Sequence, residues 1–258
     1  MEHSDLKVTS TDLAALAADS YVRERLQPRP GDPLYLHLSD LLQALGASIP
    51  LPGAKILDYG CGGSPYRTLH PSPACYHRAD YPGVPGIDFQ FGPDSRIHAP
   101  DSFYDHLIST QVLEHVSNPA SYLAECLRLL RPGGRLVITT HGLYPDHACP
   151  HDYRRWTAEG LRLDLQTSGF LVDQVVKLTT GPRAILFMNR MAHHTLLVSR
   201  PSFAAWALRL GRAIYSRLPA GTFDRFADQE YARCRVVDLK VPGHDFYIAI
   251  HAVAQRPV

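Results

Sequence analysis

Apolar positions along this chain follow two periods. Residues 11–26 and 33–45 carry apolar side chains at helical spacing, and Pro28-Arg29-Pro30-Gly31-Asp32-Pro33 breaks the two apart. From Lys55 the period shortens. Ile56 and Leu57 form a compact run that suits a buried parallel strand, and the runs at 74–80, 104–110, 135–140, 170–178 and 245–253 predict further strands. In the last run Phe246, Ile248 and Ile250 alternate with Tyr247, Ala249 and His251. Between strands, 118–130 sets Leu123, Leu127 and Leu130 on one helical face and stops at Arg131-Pro132-Gly133-Gly134. Residues 157–168 predict another helix, closed by Gly169.

This alternation predicts an α/β fold: a mostly parallel sheet with right-handed crossovers and helices on both faces, with its ligand at the carboxyl ends of the strands. Asp58, Asp80, Thr110 and His141 all fall there. A chain of 258 residues, 45% hydrophobic and 20% charged, suits one such domain with an appendage. The expected division is an N-terminal helical cap over 1–50, a core made of 51–181 and 236–258, and a basic helical insertion over 182–235.

Net charge is +1 with 14 histidines, so no global field draws the chain to nucleic acid. Five cysteines, at 61, 75, 126, 149 and 234, form no C-x-x-C pair, which argues against a disulfide framework and for a reducing cytoplasm. Residues 1–18 hold acids and no apolar core of signal length, and no apolar run approaches the ~20 residues needed to span a bilayer.

The densest signal is Asp58-Tyr59-Gly60-Cys61-Gly62-Gly63, where an acid ends a strand and glycines let the backbone turn close to a ligand. The third glycine is misplaced for the G-x-G-x-x-G of a dinucleotide loop. Asp80 follows some twenty residues later, at a strand end. Gln111-Val112-Leu113-Glu114-His115-Val116 and Arg131-Pro132-Gly133-Gly134 come next, in order. From Lys55 to about Phe170 this succession resembles the class I S-adenosylmethionine (AdoMet) methyltransferases with an L-E-H-V segment and an R-P-G-G turn.

The resemblance implies a Rossmann-like sheet with an antiparallel last strand, AdoMet as methyl donor and S-adenosylhomocysteine as product. It implies that Asp80 holds the ribose hydroxyls, a task suited to an acceptor-only carboxylate, although a turn-capping aspartate is the plainer use. Asp58 and the backbone at Gly60, Cys61 and Gly62 would hold the amino-acid end, with Gln111 nearby. The adenine acid falls in an ambiguous stretch, where Asp88 or Gln90 fills the place.

Gly62-Gly63-Ser64-Pro65-Tyr66-Arg67, together with residues 147–157, also resembles bacterial methyltransferases of surface-glycan or natural-product pathways. That resemblance puts the substrate wall at Tyr66, His147, His151, Tyr153, Arg155 and Trp156. The expected acceptor is a small molecule or glycan, and foremost its hydroxyl oxygen. N- or C-methylation of a natural product or quinone-like ring, and a catalytically silent AdoMet-binding partner, are the alternatives.

Transfer from a sulfonium needs mainly positioning, but a hydroxyl acceptor benefits from a base near neutral pH. His115 and His141, after the fourth and fifth strands, are the first candidates, with satisfied structural histidines as the competing use. His141, His147, His151 and Asp152 share one loop but match no metal-ligand spacing, so no metal is expected.

Lys177, Arg183, Arg190, Arg200, Arg209, Arg212 and Arg217 occupy 177–223 without one Asp or Glu. On a helix over 203–217, Phe203, Trp206, Leu210 and Ile214 share a face. A cap with solvated arginines is one use of this segment. Contact with a lipid-linked acceptor, peripheral to a membrane, is the other. Oligomeric state is unread.

Overall fold

The computed structural model describes residues 20–50, 52–149, 151–195 and 219–258. Eight strands form one sheet: β1 (Lys55–Tyr59), β2 (Cys75–Asp80), β3 (Phe89–Gln90), β4 (Tyr104–Thr110), β5 (Leu130–His141), β6 (Leu171–Thr180), β7 (Val236–Asp238) and β8 (Tyr247–Gln255). Their order is β3-β2-β1-β4-β5-β8-β6-β7. The pairs from β3 to β5 are parallel, and β8 runs antiparallel between β5 and β6. The Rossmann-like sheet with a reversed last strand is therefore present.

Helices flank the sheet: α1 (Ser20–Leu26), α2 (Tyr35–Gly46), α3 (Pro119–Leu129), α4 (Ala158–Thr167), α5 (Gly181–Thr195) and α6 (Thr222–Glu230). On one face α3 and α4 pack Tyr122, Leu123, Cys126, Leu161 and Leu165 against Leu57, Leu107, Leu136 and Ile138. On the other, α2 packs Leu38, Leu41, Ala44 and Leu45 against Val137, Val176, Leu178 and Ala249. Helix starts follow local chemistry. Asn118 accepts the Ser121 N–H ahead of Pro119, and Thr157 accepts the Gly160 N–H.

Two predicted elements differ in form. Residues 248–252 of β8 are all at most 1% exposed, so the expected alternation does not separate a wet face from a dry one. The strand lies between two neighbours and is covered on both sides, which removes the period-2 contrast. Arg131-Pro132-Gly133-Gly134 is not a free turn either. It belongs to β5, with an irregularity in the pairing to β4 between Tyr104 and His106. The helix expected over 11–26 is described only from Ser20, and the one expected over 203–217 lies outside the described residues.

The basic segment meets acids from elsewhere. Arg183 is fully buried, with Nη2 2.8 Å from Asp40 and Nη1 3.0 Å from Asp228. Arg190 contacts Asp224 at 2.5 Å, and Lys177 lies 3.6 Å from Asp245. These three cations of the seven thus have acidic partners within the chain. Arg200, Arg209, Arg212 and Arg217 lie outside the described residues. No helix among the described residues is long and apolar enough to cross a membrane.

Candidate functional site

The parallel order brings the carboxyl ends of β1, β2, β4 and β5 together. After β1 the chain turns through Gly60 and Gly62, both at positive φ (84° and 49°). A Cβ on Gly60 would lie 2.5 Å from Val112, so the backbone approach between the first turn and the segment after β4 requires glycine there. The Gly62 N–H donates to Asp80 Oδ2 at 2.6 Å, and the Tyr81 N–H to Oδ1 at 2.7 Å. Arg78 gathers the surrounding loops: Nε donates to Ser64 Oγ at 2.7 Å and Nη2 to the Gly62 carbonyl at 2.9 Å, while Nη1 reaches the Gly86 carbonyl at 2.7 Å.

Asp58 is buried beneath this turn and accepts the Tyr76 hydroxyl at 2.9 Å. Burial pushes its carboxyl up to about 6, against the lowering effect of the Tyr76 and Ser64 hydroxyls. Cys61 is also buried, which pushes its thiol up to about 12 and leaves it inert at neutral pH. Tyr21 of α1 lies over the turn, within 3.7 Å of where a Gly62 Cβ would be. The Arg25 guanidinium sits 3.5 Å above the Tyr21 ring. It also acts electrostatically on His37, Tyr66 and Tyr144.

This cradle fits a nucleoside linked to an amino acid. The glycine turn presents bare backbone, and each Asp80 oxygen keeps a lone pair beyond the backbone amide it accepts. Asp88 accepts the Arg78 N–H at 2.7 Å, so its carboxylate also closes the β2–β3 connection. Gln111 holds the left-handed conformation (φ 57°) at the end of β4, with its N–H on Thr139 Oγ1 at 3.0 Å and its side-chain amide 3.5 Å from the same oxygen. A non-glycine residue in that conformation stores strain that the surrounding bonds maintain.

Beyond Gln111 stands a cluster of rings. His141 stacks on Tyr144 with centroids 3.9 Å apart, and His37 lies 5.8 Å from both His141 and Phe187. His147 is 4.9 Å from His115 and 5.0 Å from His141. Burial holds His141 well below the usual imidazole range and brings His37 down to about 4, so both rings are neutral at pH 7. Glu114 is fully buried. Its Oε2 accepts the Thr140 hydroxyl at 2.8 Å, and Oε1 lies 3.1 Å from His141 Nε2. Burial pushes its carboxyl up to about 7.

Of the expected wall, the structure brings His147 into this cluster and leaves His151 and Tyr153 exposed at its edge, their rings 5.5 Å apart. Three members have other occupations. Arg155 donates to both Asp152 oxygens at 2.5 and 2.6 Å and to the Tyr144 and Pro145 carbonyls, which folds the loop after β5 upon itself. Trp156 is a core residue whose indole N–H donates to Asp164 at 2.9 Å. Tyr66 is buried among Leu38 and Leu41 of α2. The sequence reading missed Arg25, His37, Glu114 and Tyr144. The Glu114-His115 dipeptide offered a signal for Glu114, and the others had none without the fold.

A groove of about 630 Å³ lined by Pro93, Arg96, Ser121, Glu125 and Arg128 shares no residue with this cluster. Its charges pair with one another, as in the 2.6 Å contact of Arg128 with Glu125.

A family model described as a methyltransferase domain matches residues 34–174, more than half of the chain. The ubiquinone biosynthesis O-methyltransferase of Cereibacter sphaeroides is 31% identical over 37% of this chain and 44% of its own length. The protein of that name from Maricaulis maris is 32% identical with the same coverage. The match thus spans under half the length of these curated relatives. Among solved structures, the [4+2]-cyclase SpnF aligns with a TM-score of 0.52 at 21% identity, over 90% of this chain and 85% of its own. That likeness shows the fold alone.

Proposed function

The chain belongs to the methyltransferase-domain family, within the class I AdoMet-dependent group, and from that premise we propose that it methylates a hydroxyl of a small-molecule or glycan acceptor, with AdoMet as donor. The observation that carries this is the joining of Gly62 to Asp80 at 2.6 Å, which sets the glycine turn and a strand-end carboxylate side by side. Asp80 takes the ribose hydroxyls, and Asp58 with the Gly60–Gly62 backbone takes the amino-acid end. Bound there, AdoMet supplies a methyl group on a sulfonium that a nucleophile displaces in line. The residues then contribute position and exclusion of water.

The ring cluster supports a flat acceptor over a glycan. The half-buried rings of Tyr144, His147 and His115 stand edge to face at 5.1 and 4.9 Å, a setting that suits an aromatic ring. The two curated relatives, named for O-methylation in ubiquinone biosynthesis, favour the same acceptor class and the same atom. Of the two expected bases, His115, half-buried at the edge, is the one that can take the hydroxyl proton, whereas His141 is buried beneath Tyr144 and held well below the usual imidazole range, which makes it too weak a base.

Calorimetry with S-adenosylhomocysteine tests the donor half, and stoichiometric binding that is strongly weakened in Asp80→Ala is the expected result. Isotope-labelled methyl transfer to a panel of phenols, catechols and sugars, with mass analysis of the product, tests the acceptor half. Label on nitrogen or carbon would replace the O-directed assignment.

A further inference from the structure

Glu114, His115 and His147 come from two separate loops, yet one ligand atom of each lies within 4.8 Å of the other two. We propose that these three residues form a binding site for one divalent first-row transition ion, of which zinc is the reference case, at the edge of the ring cluster. The inference rests on the methyltransferase reading only for its role, and not for the binding itself.

Three observations carry it. First, Glu114 is fully buried, and while Oε2 accepts from Thr140, Oε1 makes no directed hydrogen bond, its polar neighbour being His141 Nε2 at 3.1 Å. A buried carboxylate oxygen left without a directed donor is rare, and a cation beside it would satisfy it. Second, each imidazole has an acceptor behind it, hydrogen-bonded in the case of His115. His115 Nδ1 meets the His151 carbonyl at 2.5 Å, a contact that a carbonyl accepts only from Nδ1–H, so the lone pair is on Nε2. His147 Nδ1 faces the Asp152 carboxylate at 3.2 Å without a directed hydrogen bond, and that carboxylate is itself clamped by Arg155. A carboxylate or carbonyl behind each histidine is the usual support of metal-ligating imidazole. Third, the donor set is two imidazoles and one carboxylate, which suits zinc, iron or cobalt better than magnesium or calcium and leaves coordination positions open.

This is not the set that the loop sequence suggests. His151 faces Tyr153 at the surface, and the Asp152 oxygens are taken by Arg155 and by the His147 N–H. In the proposed site His115 is a ligand and His141, 3.1 Å from Glu114, positions that carboxylate. The role that follows is to hold the acceptor oxygen as its oxyanion at neutral pH, as bound cations do for water.

The test uses chelator-stripped full-length protein titrated with zinc by calorimetry and with cobalt by visible absorption. The expected result is one equivalent of tight binding, weakened by more than about tenfold in His147→Ala and His115→Ala, since even supporting-residue changes at such sites cost that much. S-adenosylhomocysteine affinity should be unchanged in both variants. Glu114→Gln is the third variant, and a thermal melt that zinc raises in the wild type but not in His147→Ala covers the case in which it folds poorly. Absent or sub-stoichiometric uptake by the wild type, or uptake that persists in both histidine variants, overturns the proposal. Uptake without S-adenosylhomocysteine binding would overturn the methyltransferase reading and leave the metal site standing.

Discussion

The Asp80 carboxylate accepts the Gly62 N–H at 2.6 Å, and this bond fastens the end of β2 to the turn that follows β1. Asp80 therefore has two duties: it shapes the glycine turn, and it offers its remaining lone pairs to the ligand. Asp80→Ala removes both. Hydrogen bonds to a charged group are worth about 1.5–3 kcal/mol each, so loss of a ribose contact and of the turn geometry should weaken S-adenosylhomocysteine by about 100-fold or more. Calorimetry measures this, and circular dichroism should show an intact fold.

Asp58 gives the site a pH dependence. Burial pushes its carboxyl up to about 6, with Tyr76, Ser64, Arg78 and Asp80 as its neighbours. An ammonium group binds the ionised form, so affinity for S-adenosylhomocysteine should be flat above about pH 6 and fall about tenfold per unit below it. In the unliganded protein the sign is reversed. The folded state binds the Asp58 proton more tightly than the unfolded chain does, so this group favours folding at low pH and loses that contribution as pH rises from about 4 to about 6. Asp58→Asn should remove the affinity slope, and a slope that survives would assign it elsewhere.

Much of the sheet is legible in the sequence because a strand such as Ile56-Leu57 advertises itself within a few residues. Strand β8 is legible as a strand but not as a doubly covered one, since its neighbours β5 and β6 lie far away in sequence. The same distinction runs through the site. Gly60, Gly62 and Asp80 stand out because turn chemistry and spacing are local properties. Trp156 and Arg155 look like recognition residues until Asp164 and Asp152 are seen to take their donors. His37 sits on an ordinary apolar helix face, and only the packing of α2 on the sheet brings it to His141, some hundred residues on. The internal pairing of Lys177, Arg183 and Arg190 is hidden likewise, because the acids that meet them lie at Asp40, Asp224 and Asp245.

Those pairings predict where α2 is fastened to α5. Arg183 and Asp40 are both 0% exposed, with Thr179 donating to the same carboxylate at 2.9 Å. Arg183→Ala leaves Asp40 buried with only part of its support, and breaking such a pair from one side costs about 3–5 kcal/mol. Chemical denaturation should show a loss of that order, with α2 and α5 loosened together. Arg162→Ala, which breaks an exposed pair with Glu159 on α4, should cost under about 1 kcal/mol.

Arg25 predicts which part of the donor the N-terminal helix recognises. Its guanidinium lies over the Tyr21 ring, Tyr21 packs against the Gly62–Gly63 turn, and no carboxylate among the described residues pairs with it. A cation held above the turn that receives the amino-acid end is placed for the carboxylate of that end. Arg25→Ala should therefore weaken S-adenosylhomocysteine by about tenfold or more, the worth of one charge-assisted bond, while 5′-methylthioadenosine, which lacks the amino-acid end, binds both proteins alike. Equal losses for the two ligands would mean that Arg25 only steadies α1 over the turn. No loss for either would free the guanidinium for an anionic group on the acceptor, and competition by carboxylated phenols in the wild type but not in Arg25→Ala would then identify it.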